Sequence, residues 1–358
     1  MTKKITIIAT AIIMIAQMTS ATVWRVNNRA NADADFTTLQ TAHDDAGVLN
    51  GDTLYIGGSP TSYGTLICTK QLIIIGPGEF LNENSETQAY KEVAYVGQIT
   101  LNSGSENTII AGLRVQQAAI YINTDDITIR RNRFFTNLNG YHLHYYGVSI
   151  AGNCENVIIE GNWIRIVNYN SNGYCYGISS TGANLTNLII RNNYIYAQSN
   201  YYSNYTIRLS NTVVADNVLI CQNVFHANNN NTTISAKETQ MYNNIMILGN
   251  FIPNGSYYNN NISNSTQFGT ADGNQQNVSM ATVFVDYTTG IDSDLQLAPG
   301  SPAIGAGLFG EDCGLYGGSY PYHISLIPAI PAIWEVNLNN YGSDVVPINV
   351  NIKAKTHN

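Results

Sequence analysis

Four short segments of this chain superimpose without gaps: ITIRRNRF (127–134), VIIEGNWI (157–164), LIIRNNYI (188–195) and VLICQNVF (218–225). Each is an apolar run with one polar step, an asparagine and a further apolar residue. The shared asparagine falls at Asn132, Asn162, Asn193 and Asn223, at intervals of 30, 31 and 30 residues. Self-similarity at a fixed period of this length marks a solenoid, in which each repeat buries its apolar face against the next. The runs are short, rich in Ile and Val and bounded by Asn and Gly, so they read as buried parallel strands and not as helices. An asparagine recurring at the turn of every coil can hydrogen-bond to those above and below it, which satisfies turn backbone inside the stack. The pattern continues through Asn244 and Asn261 with shorter coils. The expected fold is all-β, a right-handed parallel β-helix.

An open stack exposes strand edges at both ends and needs caps. In DFTTLQTAHDDAG (35–47) the spacing of Phe36, Leu39 and Ala42 predicts a short amphipathic capping helix, ahead of a strand in DTLYIGG (52–58). Near the other terminus AIWEVNLNN and PINVNIKAK alternate apolar and polar residues, which predicts a two-stranded C-terminal β cap.

The chain starts with Lys3 and Lys4, an apolar run from Ile5 to Ala16, and the small residues Thr19, Ser20 and Ala21, the pattern of a cleavable signal peptide. The expected division is 1–21 signal peptide, 22–95 N-terminal cap and first coils, 96–290 β-helix coils, and 291–358 end-of-helix segment with the hairpin cap. The apolar run is too short to span a bilayer and no cysteine follows it to take a lipid, so no membrane insertion of the mature chain is expected. The expected destination is outside the cytoplasm: secreted, periplasmic or at the cell surface.

A net charge of −8 and a pI near 5.1 give no electrostatic reason to bind nucleic acid or an anionic membrane. Charged residues make up only 11% of the chain, so surface polarity must come from Asn, Ser, Thr and the 24 tyrosines. Cys68, Cys154, Cys175, Cys221 and Cys313 are odd in number and lack metal-type spacing; buried thiols are expected before a Cys154–Cys175 disulfide.

The segment DFTTLQTAHDDAGVLNGDTLYIGGSPTSYG followed by LIIIGPGEF resembles the N-terminal cap and first coils of secreted right-handed β-helix proteins, including the chondroitinase B and alginate lyase group. LQLAPGSPAIGAG (295–307) and DCGLYGG (312–318) resemble an end-of-helix segment of Bacteroidetes β-helix proteins. The likeness covers most of the mature chain through turn glycines, prolines and coil-filling apolar residues. For that group it implies a basic residue that abstracts the sugar C5 proton, and commonly a calcium ion on the adjacent carboxylate. No segment of this chain aligns with their catalytic segments.

Two ring columns emerge from the repeat. His144, Tyr174 and Tyr205 stand twelve residues after their anchors, and Tyr146, Tyr176 and Ile207 fourteen after. Both positions share one strand face. Facing outward they would form a strip of ring faces for sugars, with Tyr141, His142, Tyr169, Tyr201 and Tyr202 on the rim; facing inward they would be stacked core rings. A further column, Arg130, Glu160 and Arg191, reads as a solvated salt-bridge ladder, with Arg131 and Arg133 adding charge suited to a uronate carboxylate.

Sugar hydrolysis needs two carboxyl groups about 5–9.5 Å apart, and Asp216 with Glu238 is the pair to test. For β-elimination the candidates are Lys237 beside Glu238, with Arg208 and His226 as helpers. NTDD (123–126) matches an NTD motif of polygalacturonases, whose GHG and RIK motifs are absent here. Asp292 with Asp294, or Asp125 with Asp126, would need further oxygens to hold calcium, so no metal or other cofactor is expected. The leading expectation is a non-catalytic carbohydrate-binding or cell-surface scaffold protein, with a polysaccharide lyase or glycosidase as the alternative.

Overall fold

The computed structural model describes residues 21–138, 144–151, 153–168, 173–180, 184–199, 204–209, 215–227, 232–338 and 342–356. Residues 1–20 of the expected signal peptide, and Tyr141, His142, Tyr169, Tyr201 and Tyr202, expected on the rim, lie outside these.

Three parallel sheets run the length of a stack. The first has ten strands, from Val23–Val26 to Tyr257–Asn259; the second has eight, from Tyr95–Val96 to Ile262–Ser263; the third has eight, from Leu66–Cys68 to Asn250–Ile252. One coil passes through Thr128–Arg130 in the first sheet, Arg133–Leu138 in the second and His144–Ile150 in the third. It then returns through the short strand Cys154–Glu155 to Ile158–Glu160. Successive coils pair in register, as in Ile129↔Ile159↔Ile190↔Ile220. The protein is a right-handed parallel β-helix. The inward columns are fully buried: Ile129, Ile159, Ile190 and Ile220 from the first sheet, Ile164 and Ile195 from the second, Val148, Ile178 and Ile207 from the third. The expected capping helix is Leu39–Asp44. Thr38 caps it by accepting from the Thr41 amide at 3.1 Å, and Leu39 and Ala42 are buried against the first coils.

The anchor asparagines form a continuous internal ladder. The amides of Asn132, Asn162, Asn193 and Asn223 donate to the side-chain oxygen of the next anchor at 2.9–3.0 Å, and the series runs on through Asn244 and Asn261 to Asn274. Each anchor from Asn132 to Asn261 is 0% exposed, so its side chain replaces the water these turn amides lack. A second ladder lies outside, where Asn156, Asn187 and Asn217 donate at 2.8–2.9 Å to Asp126, Asn156 and Asn187. Those residues hold φ between 53° and 58°, the left-handed region that Asn and Asp tolerate best.

A solenoid sheet has an outer face as well, and the second sheet's is covered. Trp163, Tyr194, Tyr196, Val224 and Ile245 on that face pack against Met280, Phe284, Leu295, Leu315, Tyr322 and Leu326 in a second apolar core. Residues 280–327 thus form a return segment that runs back along the stack. Its buried Asp292 receives the Asn84 side chain at 2.8 Å and the Ser325 amide at 2.6 Å, and the Ile327 carbonyl accepts from Arg131 at 2.9 Å. The end-of-helix motifs therefore lie along the flank and not over the last coil. The hairpin Pro331–Leu338 with Val350–Thr356 forms as expected but is carried back with them. The Ala89 amide donates to the Ile333 carbonyl at 2.7 Å, and the hairpin faces Asn27, Arg29 and Tyr55 of the first coils across a cleft of about 470 Å³. Alternation alone fixes strand pairing; the return path that decides where a hairpin docks is a tertiary matter.

His226 lies within this covered face. Its Nδ1 is 2.9 Å from the Tyr194 hydroxyl, and burial, with the Arg165 charge, lowers its pKa from 6.5 to about 4. Between those values the unfolded chain binds a proton that the folded chain refuses, so stability falls as pH drops through that window. We expect a loss of about 2 kcal/mol, after allowing for residual solvent contact. Urea midpoints at pH 7, 5 and 4 for the native protein and His226→Gln test this: the gap between them should change with pH, and a constant gap would rule it out.

All five cysteines are free and buried, and no Cys154–Cys175 disulfide forms. Burial pushes Cys154 and Cys221 up to about 11 and Cys175 and Cys313 up to about 12, so they stay protonated and unreactive at neutral pH. The charged column differs from the expected solvated ladder. Arg191 binds Glu160 at 2.6 Å with both side chains largely buried (16% and 17% exposed), while Arg130 joins no ion pair among the described residues.

Candidate functional site

The third sheet alternates inward and outward residues, and its outward face carries the rings. Cys175 and Ile178 point into the core, and Tyr176 between them lies on the opposite side. His144 pairs with Tyr174 and Tyr146 with Tyr176, as their spacing from the anchors predicts. Tyr205 departs from that spacing: it pairs with Tyr176, and Ile207 with Ile178. The second-sheet strands of these coils match residue for residue, Asn168 opposite Ser199, so the connection after Ser199 is two residues shorter and the register slips by one side-chain period. The columns are therefore His144–Tyr174 and Tyr146–Tyr176–Tyr205.

In the longer column the rings stack face to face, 5.0 Å between Tyr146 and Tyr176 and 5.6 Å between Tyr176 and Tyr205, with interplanar angles of 14° and 9°. His144 stacks on Tyr174 at 5.6 Å. A stack consumes its own faces: Tyr176, sandwiched on both sides, is only 2% exposed. What it offers outward is edges and hydroxyls, not the strip of faces expected. Arg208 closes the far side, donating to the Tyr176 hydroxyl at 2.7 Å with its guanidinium over the Tyr176 and Tyr205 rings at 5.3 and 5.1 Å.

At the near end a ring face stays open. The preceding coil carries Ala118 and Ala119 ahead of Ile120, the partner of Val148, and so places no ring beneath Tyr146. The result is a step in the solenoid and a cleft of about 190 Å³ lined by Gln98, Gln117, Ala118, Tyr121, His144 and Tyr146. Tyr121 meets Tyr146 edge-on at 6.3 Å. Burial raises the pKa of Tyr121 and Tyr146, so both hydroxyls remain neutral donors and acceptors at neutral pH. The cleft thus joins an apolar ring platform to two amide side chains and three polar ring tips.

The proposed acid–base residues are spread over three flanks. Arg208 lies on the third sheet with the rings, and His226 on the second sheet beneath Tyr287. Asp216 pairs with Thr186 in the short sheet, and Lys237 and Glu238 occupy, one coil on, the places of Asp216 and Asn217. Glu238, at φ 52°, continues the outer turn ladder, with its amide on the Asn254 carbonyl. Asp125 accepts from the Glu155 amide of the next coil, tying two coils together, and Asp294 accepts from the Thr289 hydroxyl within a local turn. Among the described residues, no group of three or more His, Cys, Asp or Glu side chains converges as a metal site requires. No helix among them is long and apolar enough to cross a membrane.

Sequence reasoning missed Tyr121, Gln98 and Gln117 as neighbours of the rings. The signal available was negative: an alanine at 118 where the next two coils carry Tyr146 and Tyr176. Comparison with protein families finds no family model that matches the chain, and comparison with curated proteins finds none that matches it.

Proposed function

We propose that the protein is a secreted carbohydrate-binding β-helix that seats a neutral sugar on the open face of Tyr146. The observation that carries this reading is the step beneath that ring. A pyranose presents apolar C–H groups to an aromatic face and hydroxyls to surrounding amides, and the cleft supplies both, with Gln98 and Gln117 at its rim. Further along, the hydroxyl edges of Tyr174 and Tyr205 extend the same polar strip in the stacking direction, which suits an extended chain of sugars.

Tyr146 is part-exposed and ends its stack, so Tyr146→Ala should leave the coils folded. Its binding to a soluble neutral polysaccharide, measured by affinity electrophoresis and calorimetry, should fall about tenfold or more, the worth of one lost ring contact plus its buried area. Unchanged binding would reject the cleft as the sugar seat. The same preparations, incubated with neutral and uronate polysaccharides, should release neither reducing ends nor unsaturated uronates; cleavage would replace binding with catalysis and direct mutagenesis to Asp216, Lys237 and Glu238.

A further inference from the structure

The coils change width at one corner, where the second sheet passes into the third. The strand Arg114–Gln116 is followed, after Gln117, Ala118 and Ala119, by Ile120–Ile122. In the next coils the matching second-sheet strands run further, Arg133–Leu138, Trp163–Asn168 and Tyr194–Ser199, and the third-sheet strands start at His144 and Tyr174. Arg133–Phe135 pair with the narrow coil below, whereas the rest of that strand pairs only with the coil above, so the wider coils overhang the narrower one. The Tyr146 cleft lies under the overhang on the third-sheet side. A second cleft, of about 510 Å³, lies on the second-sheet side. Its volume falls within the range of small-ligand sites, about 300–1,000 Å³.

Phe135 stands over this second cleft. Arg165 lies above it in register with its guanidinium 5.7 Å from the ring, and Arg133 flanks it at 5.0 Å. Below it the register places Gln116, and Gly97, which follows the Val96 partner of Val115, brings no side chain beneath that. The coil below thus brings no ring under Phe135, just as it brings none under Tyr146. Arg114, the charged residue in the lining, directs Nε and Nη2 to Glu79 and Nη1 to the Tyr95 hydroxyl at 3.0 Å. The cleft therefore offers rings and amides, and its charge is already paired.

Gln117 joins the two clefts. It lines both, and its backbone amide donates to the Phe135 carbonyl at 3.0 Å in a turn of φ 54°. The side chains of Gln116 and Gln117 are exposed and form no hydrogen bond among the described residues. A free amide donates and accepts at once, which matches neighbouring sugar hydroxyls.

We propose that the Phe135 cleft is a second subsite, which takes a side branch of a neutral polysaccharide whose main chain lies on Tyr146 and the hydroxyl strip beyond it, with Gln117 at the branch point. This inference rests on Tyr146 as the sugar seat. The strip runs in the stacking direction, while the second cleft lies round the corner within the coil. A straight chain cannot fill both; a branch leaving the main chain at Tyr146 can. Apolar C–H groups would meet the Phe135 ring and hydroxyls the two amides, the same chemistry as in the first cleft.

Calorimetric titration of the full chain tests the assignment, with galactose-branched manno-oligosaccharides and xyloglucan oligosaccharides each compared with the unbranched chain of equal backbone length. At least one branched ligand should bind about tenfold or more tighter than its unbranched counterpart, the worth of a ring contact with its buried area. Phe135→Ala should remove that advantage and leave the unbranched chain bound as before, whereas Tyr146→Ala should weaken both. Should Phe135→Ala fail to fold by circular dichroism, Gln116→Phe, at an exposed position, covers the open ring and should remove the same advantage. Equal binding of branched and unbranched ligands, or an advantage that survives in the variants, would overturn the branch subsite and leave Tyr146 as the seat. A matching loss for the unbranched chains in Phe135→Ala would mean that a single chain turns the corner, and would overturn the branch. Absence of binding by every one of these ligands would reject the Tyr146 seat and this subsite with it.

Discussion

Glu79→Ala is expected to destabilise the folded chain by about 3–5 kcal/mol, the cost of leaving buried charge without its partner. The Glu79 carboxylate is 3% exposed and accepts from Arg114 Nε at 2.6 Å, from Arg114 Nη2, and from Arg133 Nη1 at 2.7 Å. Its own amide donates to the Ser325 carbonyl at 2.8 Å, so this cluster sits where the return segment meets the coils. Arg133 Nε is already buried without a partner, and removing the carboxylate would leave both guanidinium groups uncompensated. Urea unfolding measures the loss. The triple variant Glu79→Leu, Arg114→Met, Arg133→Met should recover much of it, because a buried ion cluster is costly to halve and far less costly to replace whole. A loss below about 1 kcal/mol in the single variant would show that water reaches these charges in the folded state.

The second large effect belongs to the internal ladder. Asn193 accepts from the Asn162 amide at 2.9 Å and from its Nδ2 at 3.0 Å, and donates to the carbonyls of Ile159 and Arg191 and to Asn223 Oδ1. Asn193→Ala would strand a buried amide, leave two carbonyls short of a donor and open a hole in the turn. At about 1–3 kcal/mol per unsatisfied group the total should approach 3 kcal/mol. Asn217→Ala, on the exposed outer ladder, should cost about 1 kcal/mol, chiefly from forcing alanine into a left-handed turn. Comparable losses from both would mean that the inner ladder draws no advantage from burial.

Much of this architecture was legible because the repeat states a backbone requirement over and over. Asn132, Asn162, Asn193 and Asn223 recur because each turn needs the same side-chain partner. The apolar steps recur because each coil fills the same interior. The ring columns were legible in composition but not in geometry. A connection two residues shorter after Ser199 moved Tyr205 from beside Tyr174 to above Tyr176, and no local residue pattern announces such a slip. Nor does a column of tyrosines reveal that its members will cover one another and leave one open face above Ala118. The path of residues 280–327 was hidden for a different reason. Their glycines and prolines specify local turns, while the contacts that fix the path, such as Asn84 to Asp292 and Arg131 to Ile327, join distant parts of the chain.

Those contacts alter how the molecule comes apart. In a stack whose units touch only their neighbours, stability is a sum of local terms, and either end frays while the middle holds. Here hydrogen bonds spanning 208, 241 and 245 residues, from Asn84 to Asp292 and Ser325 and from Ser325 to Phe80, tie late chain to early chain across the intervening coils. The early coils cannot loosen without releasing this clasp, and the clasp cannot close until the last 80 or so residues of the chain exist. The coils can form one upon another as the chain emerges, whereas the final locking must wait for the C-terminus, so unfolding should be a single cooperative event and folding should end in a slow, distinct docking step.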